Sequence, residues 1–370
     1  MKFNNKDSKK TLFSDTNLED SLVNIFIKRL KKSGKSIDDI GNLSVLLSEV
    51  ITKASKESTV PILNSLKSNA PKMLKERNKE LKTFRERLNT KWKKPLNLLE
   101  MFLVISIEAG ESFNSEYREE ASKEEDFVFD TLVRLHGKAC LIGNEIIVLL
   151  RSGFPDGAHS RWRTMHEISV IGSFIKKHGN EVAEKFLLHE GIESYKEMLV
   201  YKEYAEFLGY PALSTMEEEN IIQIKRSLCE RFGRNYYNNY GWASETLSTD
   251  NPNFSDIEKS IDLNHLRPYY KLASHHVHCN SKGVLFKLGL FPLQHDILLI
   301  GPSNYGLTDP AHGMAISLTQ ITASLLTLKP NINGILVLQT LLKLEQEIGE
   351  EFLRVQKEIE DFEKENLKKF

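Results

Sequence analysis

Apolar side chains recur every three or four residues along most of this chain, and charged or amide side chains fill the positions between them. This period is typical of α-helices that turn one face toward a core. Pro155, Gly179, Gly209 and Pro211 lie at breaks in the pattern, as expected of residues that begin or end helices. The pattern predicts helices over residues 17–33, 36–56, 61–89, 95–119, 124–152, 155–178, 181–207, 215–235, 255–282, 308–328 and 334–368. Only residues 284–300 have an extended pattern, so the predicted fold class is an all-α multi-helix bundle.

The last predicted helix carries a heptad-like seam of apolar residues. Its members are Leu341, Leu344, Ile348, Phe352, Val355, Ile359 and Phe362. Such a seam packs along a partner helix, and about three heptads barely suffice for a free coiled coil. We therefore expect it to pack on the chain's own body, with a contact in a homodimer as the alternative.

Composition divides the chain into an N-terminal, Lys-rich helical region (1–94), a helical core domain (95–330) and a long C-terminal helix (331–370). Residues 71–94 hold ten basic side chains against three acidic ones. The basic residues are Lys72, Lys75, Arg77, Lys79, Lys82, Arg85, Arg87, Lys91, Lys93 and Lys94. Such an excess of basic residues is typical of a solvated helix face. The alternative is that these residues contact an RNA backbone, with Phe84 and Trp92 stacking or packing beside them.

The bulk numbers restrict the function classes. A net charge of −1 over 370 residues argues against a surface that coats nucleic acid through charge alone. Cys140, Cys229 and Cys279 are far apart and form no CxxC pair, which favours a reducing cytoplasm over a disulfide framework. No secretory signal and no membrane span is expected. Phosphate-cradling and dinucleotide motifs are absent from the sequence, so no cofactor is predicted.

The first segment with candidate chemistry runs from Arg151 to Gly179. His159, Arg163 and His166 lie at helical spacing on one flank, and Glu167 follows Arg163 by four residues. An Arg and a Glu at this spacing usually form a structural ion pair. In a functional site, Arg163 would bind an anion while Glu167 keeps it oriented.

The second segment, HLRPYYKLASHHVHCNSKG, runs from His265 to Gly283. On a helix, its predicted buried face is Leu266, Tyr270, Ala273 and Val277. Its predicted polar stripe is Arg267, Lys271, Ser274 and His278, with His275 at the border and His276 facing away. We expect this helix and the RWRTMHE helix to form the two halves of one cleft.

A metal site is the less favoured interpretation of the histidine cluster. His275 and His278 are three residues apart, but no HExxH motif surrounds them. His295, Asp296 and His312 are the more distant candidate ligands. No metal-ligand set is therefore predicted.

Several stretches resemble a bacterial helical family of unknown function, over about residues 125–330. They are LLRSGFPDGAHSRWRTMHEI, FLLHEGIESYK, FGRNYYNNYGWAS, YKLASHHVHCNSKG and YGLTDPAHGMAISL. The resemblance implies a helical domain and names no reaction.

A looser similarity is to the HEPN superfamily, whose active members cut RNA without metal through an Arg and a His with four to six residues between them. Arg161 and His166 have four residues between them, whereas Arg267 and His275 have seven and depart from the pattern. The resemblance implies a HEPN-like core, a homodimer, and a ribonuclease of a toxin or anti-phage type.

In such a ribonuclease, His278 or His166 would be the acid or base, and Arg163 and Arg267 would stabilise phosphorane charge. Glu167 and Ser274 complete the candidate catalytic set. Two alternatives stay open: a non-catalytic sensor or scaffold that binds a nucleotide or a partner protein, and a metal-dependent hydrolase. Whether the chain is an enzyme at all is open at this point.

Overall fold

The computed structural model describes residues 27–28, 32, 43–278, 280–291 and 298–367. The chain forms two compact units, Met1–Thr83 and Phe84–Phe370. The described residues contain helices and turns but no β-strand. The predicted all-α multi-helix fold is therefore confirmed, while a HEPN-like core remains a prediction.

Thirteen α-helices are present in the described part of the chain. They are α1 (Leu43–Lys91), α2 (Lys93–Lys123), α3 (Phe127–Arg151), α4 (Pro155–His178), α5 (Asn180–Leu188), α6 (Glu190–Leu208), α7 (Thr215–Phe232), α8 (Ser244–Leu247), α9 (Phe254–Ser260), α10 (Arg267–Val277), α11 (Ser281–Leu285), α12 (Thr308–Leu326) and α13 (Ile332–Leu367). Short 3₁₀ turns cover Arg234–Tyr237, Gly241–Ala243 and Asn264–Leu266.

Three predicted boundaries were wrong. Helix α1 continues through Pro61 and Pro71 instead of breaking before Pro61. A proline removes one backbone donor, and the turns on either side keep their own hydrogen bonds. The helix predicted over 181–207 divides at His189, and the one over 255–282 divides into α9, α10 and α11.

Two further predictions concern segments that the structure describes only in part. The helix over 17–33 lies mostly outside the described residues. Of the extended segment predicted over 284–300, residues 284–285 belong to α11 and residues 292–297 lie outside the described residues. No strand occurs in the described remainder.

The core of the second unit is built around α12. This helix packs against α2, α3, α4 and α13. Most of its side chains are buried, as expected of a helix surrounded by others. The indole Nε1 of Trp162 donates to Ser317 Oγ at 3.1 Å and so ties α4 to α12. The backbone of α4 is thereby held in place, and α4 carries three of the six candidate site residues, Arg163, His166 and Glu167.

The C-terminal seam packs on the chain's own body. Leu341, Ile348 and Phe352 are fully buried, and the Phe352 ring lies 5.5 Å from that of Trp92. Phe362, the last member of the predicted seam, is exposed. These contacts match the intramolecular interpretation of the heptad pattern.

Two residues of the basic stretch 71–94 form ion pairs with α13. All ten of its Lys and Arg residues are exposed. Lys91 Nζ lies 2.7 Å from Glu358, and Lys94 Nζ lies 2.8 Å from Glu351. Trp92 is a core residue, so it packs and does not form a surface stacking platform. Lys91 and Lys94 are thus paired with acidic residues of α13, and the RNA-backbone interpretation stays a prediction.

The turn before α4 accounts for the glycine and the proline at positions 153 and 155 of the SGFPDG sequence. Gly153 has a φ of +81°, and a Cβ there would lie 2.7 Å from the Phe84 ring and 2.8 Å from the Ser303 carbonyl oxygen. Glycine alone fits both constraints. Pro155 then begins α4, where its missing N–H costs no helical hydrogen bond.

Candidate functional site

A buried histidine on α4 lies at the centre of the candidate site. His166 Nε2 is 3.0 Å from Glu258 Oε1, and both side chains are completely excluded from solvent. Glu258 belongs to α9, a two-turn helix whose first turn is held by a capping box between Asn253 and Asp256. The cap fixes where α9 begins, and this places the Glu258 carboxylate against α4.

The same carboxylate binds a third element. Arg267, the first residue of α10, forms an ion pair from Nη1 to Glu258 Oε2. Glu258 therefore receives an imidazole on one oxygen and a guanidinium on the other. His166 Nδ1 has no hydrogen-bond partner within the described part of the chain.

The second half of the site is organised by Tyr270. Arg163 Nη2 lies 3.0 Å from Glu167 Oε1 and donates to the Tyr270 hydroxyl at 2.8 Å. That hydroxyl donates in turn to Glu167 Oε1 at 2.5 Å. The Arg163 and Arg267 guanidiniums lie 4.8 and 5.4 Å from the centroid of the Tyr270 ring. One tyrosine therefore connects the two arginines.

We call these six residues, Arg163, His166, Glu167, Glu258, Arg267 and Tyr270, the polar cluster. Its two arginines balance its two glutamates. Burial raises the pKa of Tyr270, and its hydrogen bond to Glu167 raises it further. Burial likewise raises the pKa of the adjacent Tyr240, with Glu167 adding to the effect and Arg163 opposing it. Both phenols are therefore neutral at ordinary pH, and that of Tyr270 donates to Glu167.

The predicted site residues divide into two groups. Arg163, His166, Glu167 and Arg267 meet in the polar cluster, as expected if α4 and α10 form two halves of one site. Ser274 donates its hydroxyl to the Tyr270 carbonyl oxygen of its own helix at 2.8 Å.

His278 is exposed at the end of α10 and, among the described residues, forms no hydrogen bond or ion pair with the cluster. Its assignment, like that of Ser274, stays a prediction.

Two members of the polar cluster, Tyr270 and Glu258, were not predicted from the sequence as site residues. Tyr270 was assigned to the buried face of its helix, which is correct, but its hydroxyl reaches the Arg163–Glu167 pair. Nothing in the sequence around Glu258 indicated a site residue, because its partner His166 is 92 positions earlier in the chain.

The two Arg/His pairs counted for the HEPN pattern are not brought together by direct contact. Arg161 forms its ion pair with Glu145, while His166 faces Glu258. Arg267 is paired with Glu258, and His275 Nδ1 accepts from the Asn280 amide at 2.6 Å. Within each of these two pairs, the Arg and the His therefore contact different partners.

A second pair of histidines packs near the start of α4. His159 is fully buried and stacks on Trp162 at 5.1 Å. His276 faces away from the predicted polar stripe, as expected, and its Nε2 lies 3.3 Å from Asp156 Oδ1. Burial, with a smaller contribution from His276, lowers the pKa of His159 to about 3. His159 is therefore a neutral core residue and lies outside the polar cluster.

The described residues include no group of three or more His, Cys, Asp or Glu side chains arranged to hold a metal ion. His312 packs against Gly349 on α13. Cys279, His295 and Asp296 lie outside the described residues. The described residues thus provide no ligand set for the metal-dependent hydrolase alternative.

In the part of the chain that the structure describes, every helix is too short or too polar to cross a membrane.

No curated protein and no solved structure matches this chain. Residues 129–290 match the model of a family of unknown function, DUF5677. That range lies within the 125–330 over which the sequence resembles a helical family, and it contains every residue of the polar cluster. Similarity to this family model supports a domain of unknown function over residues 129–290.

Proposed function

We propose that the chain is a non-catalytic helical sensor or scaffold, and that the polar cluster locks α4, α9 and α10 into one unit. The observation that carries this proposal is that His166 and Glu258 are completely excluded from solvent. Buried polar groups that hydrogen-bond to each other, as His166 Nε2 and Glu258 Oε1 do, rigidify a particular packing arrangement.

Charge balance in the polar cluster supports the same proposal. Arg163 faces Glu167 and Arg267 faces Glu258, so each guanidinium already has a carboxylate partner. A site that stabilises phosphorane charge keeps its donors aimed at the reacting group. In the polar cluster, these donors stabilise the packing of three helices instead.

The test is an RNA-cleavage assay on a mixed pool of tRNA and mRNA with metal-stripped, purified protein. We expect the RNA to remain intact. A matched measurement of unfolding should show that His166→Ala lowers stability, as expected of a structural residue. Cleavage that disappears in His166→Ala while the variant keeps its fold would contradict the proposal.

A metal-independent endoribonuclease of a toxin or anti-phage type is the second candidate. The observation that favours it is the His166–Glu258 pair beside Arg267, because a carboxylate orients an imidazole for proton transfer and an arginine stabilises negative charge. RNA would be the substrate, and a homodimer is the assembly expected from the resemblance. Because a general base must come within about 3 Å of the proton that it takes, α9 or α10 would have to move to admit RNA.

The ribonuclease candidate has its own test. Expression of the wild type would be toxic to cells, and His166→Ala and Arg267→Gln would abolish both toxicity and cleavage. His278→Ala would test the role of the exposed His278 imidazole independently of the buried His166 imidazole. Arg134→Gln, an exposed change on α3, serves as the control. Equal behaviour of all four variants and the wild type, without RNA cleavage, would remove this candidate.

A further inference from the structure

A cavity of about 540 Å³ lies where α6, α7 and the turn Arg234–Tyr237 meet. This volume is within the range of about 300–1,000 Å³ common for small-molecule sites. Its charged and aromatic lining comprises Tyr195, Lys225, Arg226, Glu230, Arg234 and Tyr237. The cavity shares no residue with the polar cluster and lies in the FGRNYYNNYGWAS region, which the proposed function does not use.

Three cations line this cavity against one carboxylate, Glu230. Among the described residues, neither Arg226 nor Arg234 has a salt-bridge partner. Lys225 is half-buried and places its ammonium 5.5 Å from the ring centroids of both Tyr195 and Tyr237. The cavity therefore presents uncompensated positive charge.

Neighbouring cations on the same two helices are paired. Lys202 Nζ lies 2.5 Å from Glu218, and Arg231 lies 2.8 Å from Glu184. Carboxylates on this surface thus pair with these two cations, whereas Glu230, which lines the cavity, forms no ion pair with Arg226 or Arg234 among the described residues. The unpaired charge is specific to the cavity and is not a general property of α6 and α7.

The wall opposite α7 is held rigidly. His189 Nε2 donates to the carbonyl oxygens of Tyr236 and Asn238 at 3.1 and 3.0 Å. The Asn235 and Asn238 amides donate to Asp250, at 2.6 and 2.7 Å. A binding site that is ordered before the ligand arrives loses less conformational entropy on binding.

We propose that this cavity binds a phosphate-bearing small molecule. Guanidinium groups present planar forks of donors that match phosphate oxygens, and hydrogen bonds between charged partners are stronger than neutral ones. Arg226 and Arg234 bind the phosphate, and Lys225 contributes a third positive charge. The proposal does not depend on whether the polar cluster is structural or catalytic.

Isothermal titration calorimetry of the full chain with pyrophosphate, adenosine diphosphate and adenosine tests this site. Both phosphate compounds should bind and adenosine should not. Comparable affinity for pyrophosphate and the nucleotide would mean that phosphate supplies the recognition, and tighter nucleotide binding would mean that the nucleoside adds contacts. The double variant Arg226→Gln/Arg234→Gln should weaken binding by on the order of tenfold or more.

The matched control is the double variant Lys138→Gln/Lys357→Gln, which removes the same two charges at exposed positions on α3 and α13. It should bind as the wild type does. Three results would overturn the proposal: no binding of either phosphate compound, undiminished binding in the arginine double variant with its fold intact, or adenosine binding as tight as that of the diphosphate. Whether the chain cleaves RNA does not affect the measured binding of pyrophosphate, adenosine diphosphate or adenosine.

Discussion

The imidazole Nε2 of His166 lies 3.0 Å from the carboxylate of Glu258, in a position that water does not reach. The two residues belong to different helices, α4 and α9. Arg267 at the start of α10 binds the other carboxylate oxygen, so a single acidic side chain joins three helices.

Removing the Glu258 carboxylate should destabilise the chain strongly. In Glu258→Ala, Arg267 and the buried His166 both lose their partner. Breaking a buried ion pair by removing one member typically costs about 3–5 kcal/mol. Urea denaturation followed by circular dichroism would measure the loss in the free energy of unfolding.

The control for Glu258 is Glu119→Ala, because Glu119 forms an i,i+4 pair with Lys123 on an exposed surface. Such a pair contributes about 0.5 kcal/mol or less. Equal effects of the two changes would show that burial at Glu258 does not matter, which contradicts the interpretation of the polar cluster as structural.

Two glycine substitutions should have opposite signs. A Cβ at Gly313 on α12 would lie 2.7 Å from Trp162 Nε1, within a ring that is buried and hydrogen-bonded. Gly313→Ala should therefore cost about 1–3 kcal/mol through overpacking. A Cβ at Gly137 on α3 meets no atom within 4 Å, so Gly137→Ala should stabilise by about 0.5–1 kcal/mol.

Thermal melts of both glycine variants would measure the difference. An increase in stability for Gly313→Ala would contradict the close contact between α12 and α4.

Stability should decrease in acid partly because of His136. Burial lowers the pKa of this imidazole from 6.5 to about 4. Between these values the unfolded chain binds a proton that the folded chain does not, so the free energy of unfolding falls as pH falls. His136→Gln should reduce the loss between pH 7 and pH 4.5 by about 2–3 kcal/mol.

The control for His136 is Thr322→Val, which removes the hydroxyl that lies 3.1 Å from His136 Nε2. It should lower stability by a similar amount at each pH, because the buried ring remains. Denaturation curves from pH 4.5 to 7 would show this as a parallel displacement. An unchanged slope in His136→Gln would mean that the ring is not shielded from protons in the folded chain.

The C-terminal seam should respond as part of a core. Phe352 is fully buried against Trp92, so Phe352→Ala should cost about 3–5 kcal/mol. Phe362 is exposed, and Phe362→Ala should change stability by about 0.5 kcal/mol or less. Urea denaturation would measure both. Sedimentation velocity should give the same mass for both variants and the wild type, whereas a change from dimer to monomer in Phe352→Ala would support the dimer interpretation of the seam.

Several features could be predicted from local spacing. Arg163 and Glu167 are four residues apart on one helix, and helical geometry alone brings them into contact. The seam from Leu341 to Ile359 could be predicted for the same reason. The break at His189 was not, because its imidazole is held by carbonyl oxygens 47 and 49 residues later in the chain.

By itself, the sequence determined the all-α class, most of the long helices and the stripes of polar residues along α4 and α10, because these depend on a period of 3.6 residues. Only the tertiary structure decided that His166 faces Glu258, that His278 stays exposed and that three cations meet at one cavity. These contacts join residues distant in the chain, and they depend on how helices pack against one another. This packing depends on the shape and burial of many side chains together, and it cannot be predicted from the spacing of residues along one helix.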